Sequence, residues 1–79
     1  MSPTIFRFRN YRFYFFSREE PRMHVHVISP NGEAKYWMKP HIELAGHKGL
    51  ETSQLNEINK VIHERQNEIL DSWRRHFQS

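Results

Sequence analysis

The stretch 5-IFRFRNYRFYFF-16 decides how the first half of this chain folds. Two aromatic-rich runs, Ile5 to Phe8 and Tyr11 to Phe16, flank Arg9-Asn10. Asn10 tolerates the left-handed backbone of a tight hairpin, so a two-residue turn is expected there. That turn sets Phe8 opposite Tyr11, Arg7 opposite Arg12, Phe6 opposite Phe13 and Ile5 opposite Tyr14. Side chains two apart on a strand share a face. Phe6, Phe8, Tyr11, Phe13 and Phe15 therefore form the core face, and Ile5, Arg7, Arg12, Tyr14 and Phe16 the outer one.

Outward from this hairpin, Ser17 to Arg22 reads as a polar connection in which Pro21 stops the preceding strand. Met23 to Ser29 alternates as a third strand. Pro30-Asn31-Gly32 is a turn: proline pre-sets one dihedral, and Asn and Gly accept positive φ. Glu33 to Met38 returns as a fourth strand, Pro40 ends it, and His41 to Ala45 suits a short fifth. From residue 51 the period changes to that of a helix, with Leu55, Ile58, Ile62, Ile69, Trp73 and Phe77 on one stripe. Glu51 as N-cap puts Gln54 at the capping-box position and lets Leu50 staple onto Leu55, with Thr52 as the competing start. One helix from about 51 to 77 would be roughly 40 Å long, so its end would project beyond the sheet. A bend near Asn67 would instead keep both halves packed.

These elements predict an α+β fold: an antiparallel meander of four to five strands packed by one long C-terminal helix. The 79 residues are expected to form a single domain, β-rich over 3–45 and helical over about 51–77. Aromatics at 14% help so short a chain bury enough area, and the absence of cysteine removes disulfides and thiolate zinc sites. Arginines at 7, 9 and 12 interrupt the N-terminal apolar run. Neither a signal peptide nor a membrane span is expected, and the expected location is the cytoplasm. A net charge of +3 and a pI near 9.6 fit a nucleic-acid or acidic-protein partner.

His24 and His26, two apart on a strand, share a face opposite Val25 and Val27. With the valines toward the helix, both imidazoles belong on the outer face. Three chemistries fit them. As metal ligands they would need completion by His41, His47, Glu33 or Glu43, none at motif spacing, so no metal is assigned. As a general acid and base they would suit metal-independent RNA cleavage, with Arg7, Arg12, Lys35 or Lys39 as cations. As ordinary groups on the sheet face they would simply be hydrogen-bonded or solvated. Arg7 opposite Arg12 is a like-charge pair, which an anion would relieve, or which solvent relieves if the two splay apart. Tyr14 shares that face, and cations interleaved with aromatics suit single-stranded nucleic acid. Arg7, Arg12, Tyr14, Lys35 and Lys39 are thus the candidate RNA or anion contacts.

Trp37 and Trp73 read as core or interface anchors. The tail 73-WRRHF-77 is amphipathic and basic, which makes Trp73, Arg74 and Phe77 candidate partner contacts. Three glycines and no phosphate-binding loop, serine triad or paired-carboxylate site imply no cofactor.

Taken together, 4-TIFRFRNYRFYFFS-17, 24-HVHV-27 and 32-GEAKYWMKP-40, followed by a helix ending in Trp73 and Phe77, resemble the small bacterial family grouped as domain of unknown function 4160. Most members of that family have a proline directly before the first histidine, whereas here Arg22-Met23 follow Pro21. Members are commonly encoded beside a protein of domain of unknown function 2442, a pairing that looks like a toxin–antitoxin module. The resemblance therefore implies one half of a two-protein module, the toxin, that binds a cognate small protein, with RNA as the downstream target. It marks His24 and His26 and no further residue. The alternatives are a ribonuclease acting through His24 and His26, and a metal-binding or purely structural interaction protein. A homo-oligomer is compatible with all of them.

Overall fold

The computed structural model describes residues 4–15 and 22–77. Five strands, β1 (Thr4–Phe8), β2 (Tyr11–Tyr14), β3 (His24–Ser29), β4 (Gly32–Trp37) and β5 (Glu43–Lys48), pair antiparallel in sequence order. Two helices follow, α1 (Thr52–Glu64) and α2 (Gln66–Phe77). The α+β meander expected from the sequence is present, with the fifth strand beginning and ending later than expected. Residues 16–21, which include most of the expected polar connection and Phe16, lie outside the described residues.

The first hairpin has the expected turn and, near it, the expected register: Phe8↔Tyr11, Arg7↔Arg12 and Phe6↔Phe13. Farther out, Tyr14 pairs with Thr4 rather than Ile5, because Ile5 is an extra residue on β1. Positive φ falls on Arg9 (56°), not on Asn10. A matching irregularity lies at the other edge. Lys35 pairs with Gly46 and Tyr36 with Leu44, which leaves Ala45 as the extra residue of β5. Bulges on both edge strands twist each edge away from pairing with a further strand.

The β3–β4 hairpin closes through Pro30-Asn31, with Gly32 already paired to Ser29. Gly32 is there for space rather than for positive φ. A Cβ on it would lie 2.1 Å from the Lys48 carbonyl oxygen and 2.9 Å from the Gly49 backbone. Gly49 does need its conformation, with φ of 81°, and a Cβ there would lie 2.5 Å from the Asn31 oxygen. The two glycines let the hairpin tip press against the segment leading into α1.

The single long helix is corrected to two. Glu51 caps α1 with the expected box, its N–H donating to Gln54 Oε1 at 3.0 Å. Arg65 then leaves helical geometry at φ −115°, ψ 24°, two residues before Asn67. Its guanidinium lies over the Phe6 ring, 3.6 Å from the centroid. The bend turns Ile69, Leu70 and Trp73 onto the core that Ile58, Val61 and Ile62 already cover. Burying those three side chains outweighs the helical hydrogen bonding disturbed at one residue, at about 1.5–3 kcal/mol per large side chain. From the sheet, Phe6, Tyr11, Phe13, Phe15, Val25, Val27, Ala34 and Tyr36 meet the helices. Tyr36 donates its hydroxyl to the Leu55 carbonyl at 3.1 Å. Burial pushes its phenol up to about 12, and burial, aided by the Glu57 carboxylate, also raises Tyr11.

Candidate nucleic-acid interface

The register places the outer-face side chains in rows that run across the strands. One row is Thr4, Tyr14, His26, Lys35 and Gly46, one residue from each strand in turn. The next is Arg7, Arg12, Ile28, Glu33 and Lys48. A third sets His24 beside Trp37 and Glu43. Neighbouring strands lie about 4.8 Å apart and successive rows about 6.6 Å apart.

Rings and cations form a continuous ladder through these rows. The Arg12 guanidinium sits 4.7 Å from the Tyr14 ring centroid. Tyr14 stacks on His26 at 5.4 Å, and His26 meets His24 edge-on at 5.0 Å. His24 in turn meets Trp37 at 5.8 Å, and Trp37 carries Arg22 at 4.1 Å and Lys35 at 4.5 Å. Each such contact is worth about 0.5–1 kcal/mol where exposed and more where desolvated. Trp37 therefore belongs to the outer face rather than the core, as alternation with Tyr36 requires.

Both histidines fall in the outer-face rows, as expected, but they are not equally accessible. His26 is half-buried, whereas His24 is fully buried. Trp73 closes over it from α2, 5.2 Å between ring centroids, while also meeting Phe15 at 5.3 Å. His24 Nδ1 lies 2.6 Å from the Arg22 carbonyl. A carbonyl can only accept, so Nδ1 carries the proton. His24 thus ties the start of β3 to the end of α2, and His26 is the imidazole of the pair that faces the groove described next.

The ladder stops at β5 because Gly46 has no side chain. A Cβ built there meets nothing within 4 Å. The opening is a groove of about 300 Å³ between Tyr14, His26, Lys35 and Lys48, with Glu33, Ala34 and His47 completing its lining. Lys35, Lys48 and Glu33 are the charged residues of that lining.

The other sequence candidates are distributed as follows. Arg7 and Arg12 stand opposite each other as expected, with Arg12 turned onto Tyr14 and its Nε donating to Thr4 Oγ1 at 2.6 Å. Ring and hydroxyl thus hold Arg12 without requiring an anion. Lys39 is not brought to the rows. It lies in the β4–β5 connection, where its carbonyl accepts from Arg22 Nε at 3.0 Å. Trp73, Arg74 and Phe77 do come together, with Met23, around an open apolar depression of about 470 Å³. Arg74 pairs there with Asp71 at 3.1 Å. No three His, Cys, Asp or Glu side chains converge to hold a metal among the described residues, and His41 lies instead 3.6 Å from Glu43. Gly46 and Lys48 were not legible as site residues, since only the pairing of β5 brings them to the face. Among the described residues no helix is long and apolar enough to cross a membrane.

No match is found among curated proteins or among solved structures. The family described as Domain of unknown function (DUF4160) matches residues 10–74, a span that includes both histidines, Gly46, Lys48 and most of α2. The chain, with its bulge-edged sheet and its histidine-bearing central strand, belongs to that family.

Proposed function

We propose that this protein is the RNA-binding component of a two-protein, toxin–antitoxin-like module, and that it engages single-stranded RNA through the outer face of its sheet. The observation that carries the reading is the ladder that runs through Arg12, Tyr14, His26, His24, Trp37 and Lys35 beside an open groove. Cations that meet phosphates beside aromatic rings that meet bases are what sequence-tolerant single-strand binding requires. The row spacing of about 6.6 Å also suits a strand laid along the β direction. The cognate small protein would use a different surface. The depression is lined by Met23, Trp73 and Phe77 with Arg74 beside them, which fits a partner that brings an apolar anchor and a carboxylate able to compete with Asp71. His24, enclosed by Trp73 and tied to Arg22, is poorly placed to share acid–base work with His26, which favours binding over strand cleavage.

The test is fluorescence anisotropy with a labelled single-stranded oligoribonucleotide of about 10 residues, read against salt. Binding is expected to weaken steadily as salt rises, and Lys35→Glu is expected to weaken it about tenfold or more with the circular dichroism unchanged. Absence of binding at low salt, or an undiminished Lys35→Glu, sinks the RNA reading. If the same assay shows cleavage that His26→Ala abolishes, binding alone is the wrong description.

A further inference from the structure

The row across the sheet carries a side chain on every strand until β5, where Gly46 leaves the face open. Nothing in the packing demands a glycine there. Gly32 and Gly49 would each drive a Cβ into backbone, whereas at Gly46 a Cβ has no neighbour within 4 Å. The consequence of the missing side chain is the groove of about 300 Å³, at the small end of the range for ligand sites.

We propose that the groove above Gly46 is a ribonucleotide subsite that takes one nucleoside monophosphate unit, either a free nucleotide or one residue of a single strand. It deepens the RNA reading and rests on the same face. Lys35 stands beside Gly46 on the neighbouring strand, and Lys48 lies two residues along β5 on the same face. Both line the opening, Lys35 with its ammonium 4.5 Å from the Trp37 ring centroid, and two cationic side chains suit a phosphate monoester. The half-buried His26 ring, backed by the buried Tyr14 on which it stacks, supplies an aromatic edge for the base. Glu33, opposite Lys48, is the acceptor that a ribose hydroxyl pair or a base amino group needs. The carboxylate also makes the site a poor one for a bare anion, so inorganic phosphate binds more weakly than a nucleotide.

The experiment is an amide chemical-shift titration of the full chain with adenosine 5′-monophosphate and, separately, with inorganic phosphate, repeated for Gly46→Ala and Gly46→Leu. The nucleotide is expected to saturate with shifts centred on Lys35, Gly46 and Lys48. Leucine, which fills the groove, is expected to weaken it about tenfold or more, and alanine much less. A leucine variant that binds like the parent, or shifts mapping to another face, overturns the inference. If leucine were to disturb folding, Lys48→Glu, on an exposed edge, is read in the same way.

Oligoribonucleotide titrations of the same proteins separate the possible sources. If leucine weakens nucleotide and RNA together, the unit is a residue of the strand; if it weakens the nucleotide alone, the ligand is a free nucleotide. RNA binding without any nucleotide binding defeats the groove and leaves the RNA reading standing. Nucleotide binding without RNA binding does the reverse, and binding of neither defeats both.

Discussion

The Arg65 guanidinium lies over Phe6, its carbon 3.6 Å from the ring centroid, at the residue where the C-terminal helix bends. One contact thereby joins the first strand to the junction between α1 and α2. Arg65 also pairs with Glu68 at 2.7 Å, so the cation is held on both sides.

Arg65→Ala should therefore cost about 1–2 kcal/mol, since it removes a partly desolvated cation–π contact along with the packing of the side-chain stem. Urea unfolding monitored by circular dichroism measures this. A change below about 0.3 kcal/mol would show that burial of Ile69, Leu70 and Trp73 holds the bend without help.

The three glycines make a graded set. Gly32→Ala and Gly49→Ala should each destabilise by about 1–3 kcal/mol, the first through overpacking against the Lys48 carbonyl and the second also through its positive φ. Gly46→Ala should change stability by no more than about 0.5 kcal/mol. Equal losses at all three positions would contradict the close approach of the β3–β4 turn to the Lys48–Gly49 backbone.

The two histidines should separate in a similar way. His24→Ala deletes a fully buried ring, opens a cavity between Trp37 and Trp73 and leaves the Arg22 carbonyl without this donor. A loss of about 2–4 kcal/mol is expected from the cavity and the unmade hydrogen bond together. His26→Ala should cost about 1 kcal/mol, mainly its stacking on Tyr14. Melting curves that rank the two the other way round would remove His24 from its structural role.

Alkaline pH should unfold the protein through Tyr36. Its phenol titrates at about 12 when folded, against an ordinary value of 10.0, because burial disfavours the phenolate. Below pH 10 the group is neutral in both states and contributes no pH dependence. Between about 10 and 12 the unfolded chain loses the proton first, so stability falls as pH rises through that window. Tyr11, raised in the same direction, adds to the slope. Tyr36→Phe should flatten the fall while giving up about 1 kcal/mol at neutral pH for the bond to Leu55. An unchanged alkaline slope in that variant would assign the effect to other groups.

Much of the architecture follows from local chemistry. The two-residue turn at Arg9-Asn10, the alternation of His24 to Ser29 and the capping box at Glu51 each involve neighbours in sequence, and period-2 and period-3.6 patterns are readable there. They determined the meander, its core face and the helical start. Long-range packing decided the rest. The bend at Arg65 exists because Phe6 and the remaining core are in reach, and His24 is buried because Trp73 arrives from the far end of α2. The bulges at Ile5 and Ala45 slip the edge registers by one residue, and a slip of one exchanges the faces of everything beyond it. Alternation along His24 to Val27 is thus enough to put two histidines on one side of a strand. Pairing and packing then enclosed one of them beneath Trp73, turned the other toward a groove and set Gly46 beside it, because those outcomes depend on side chains that meet solely through long-range contacts.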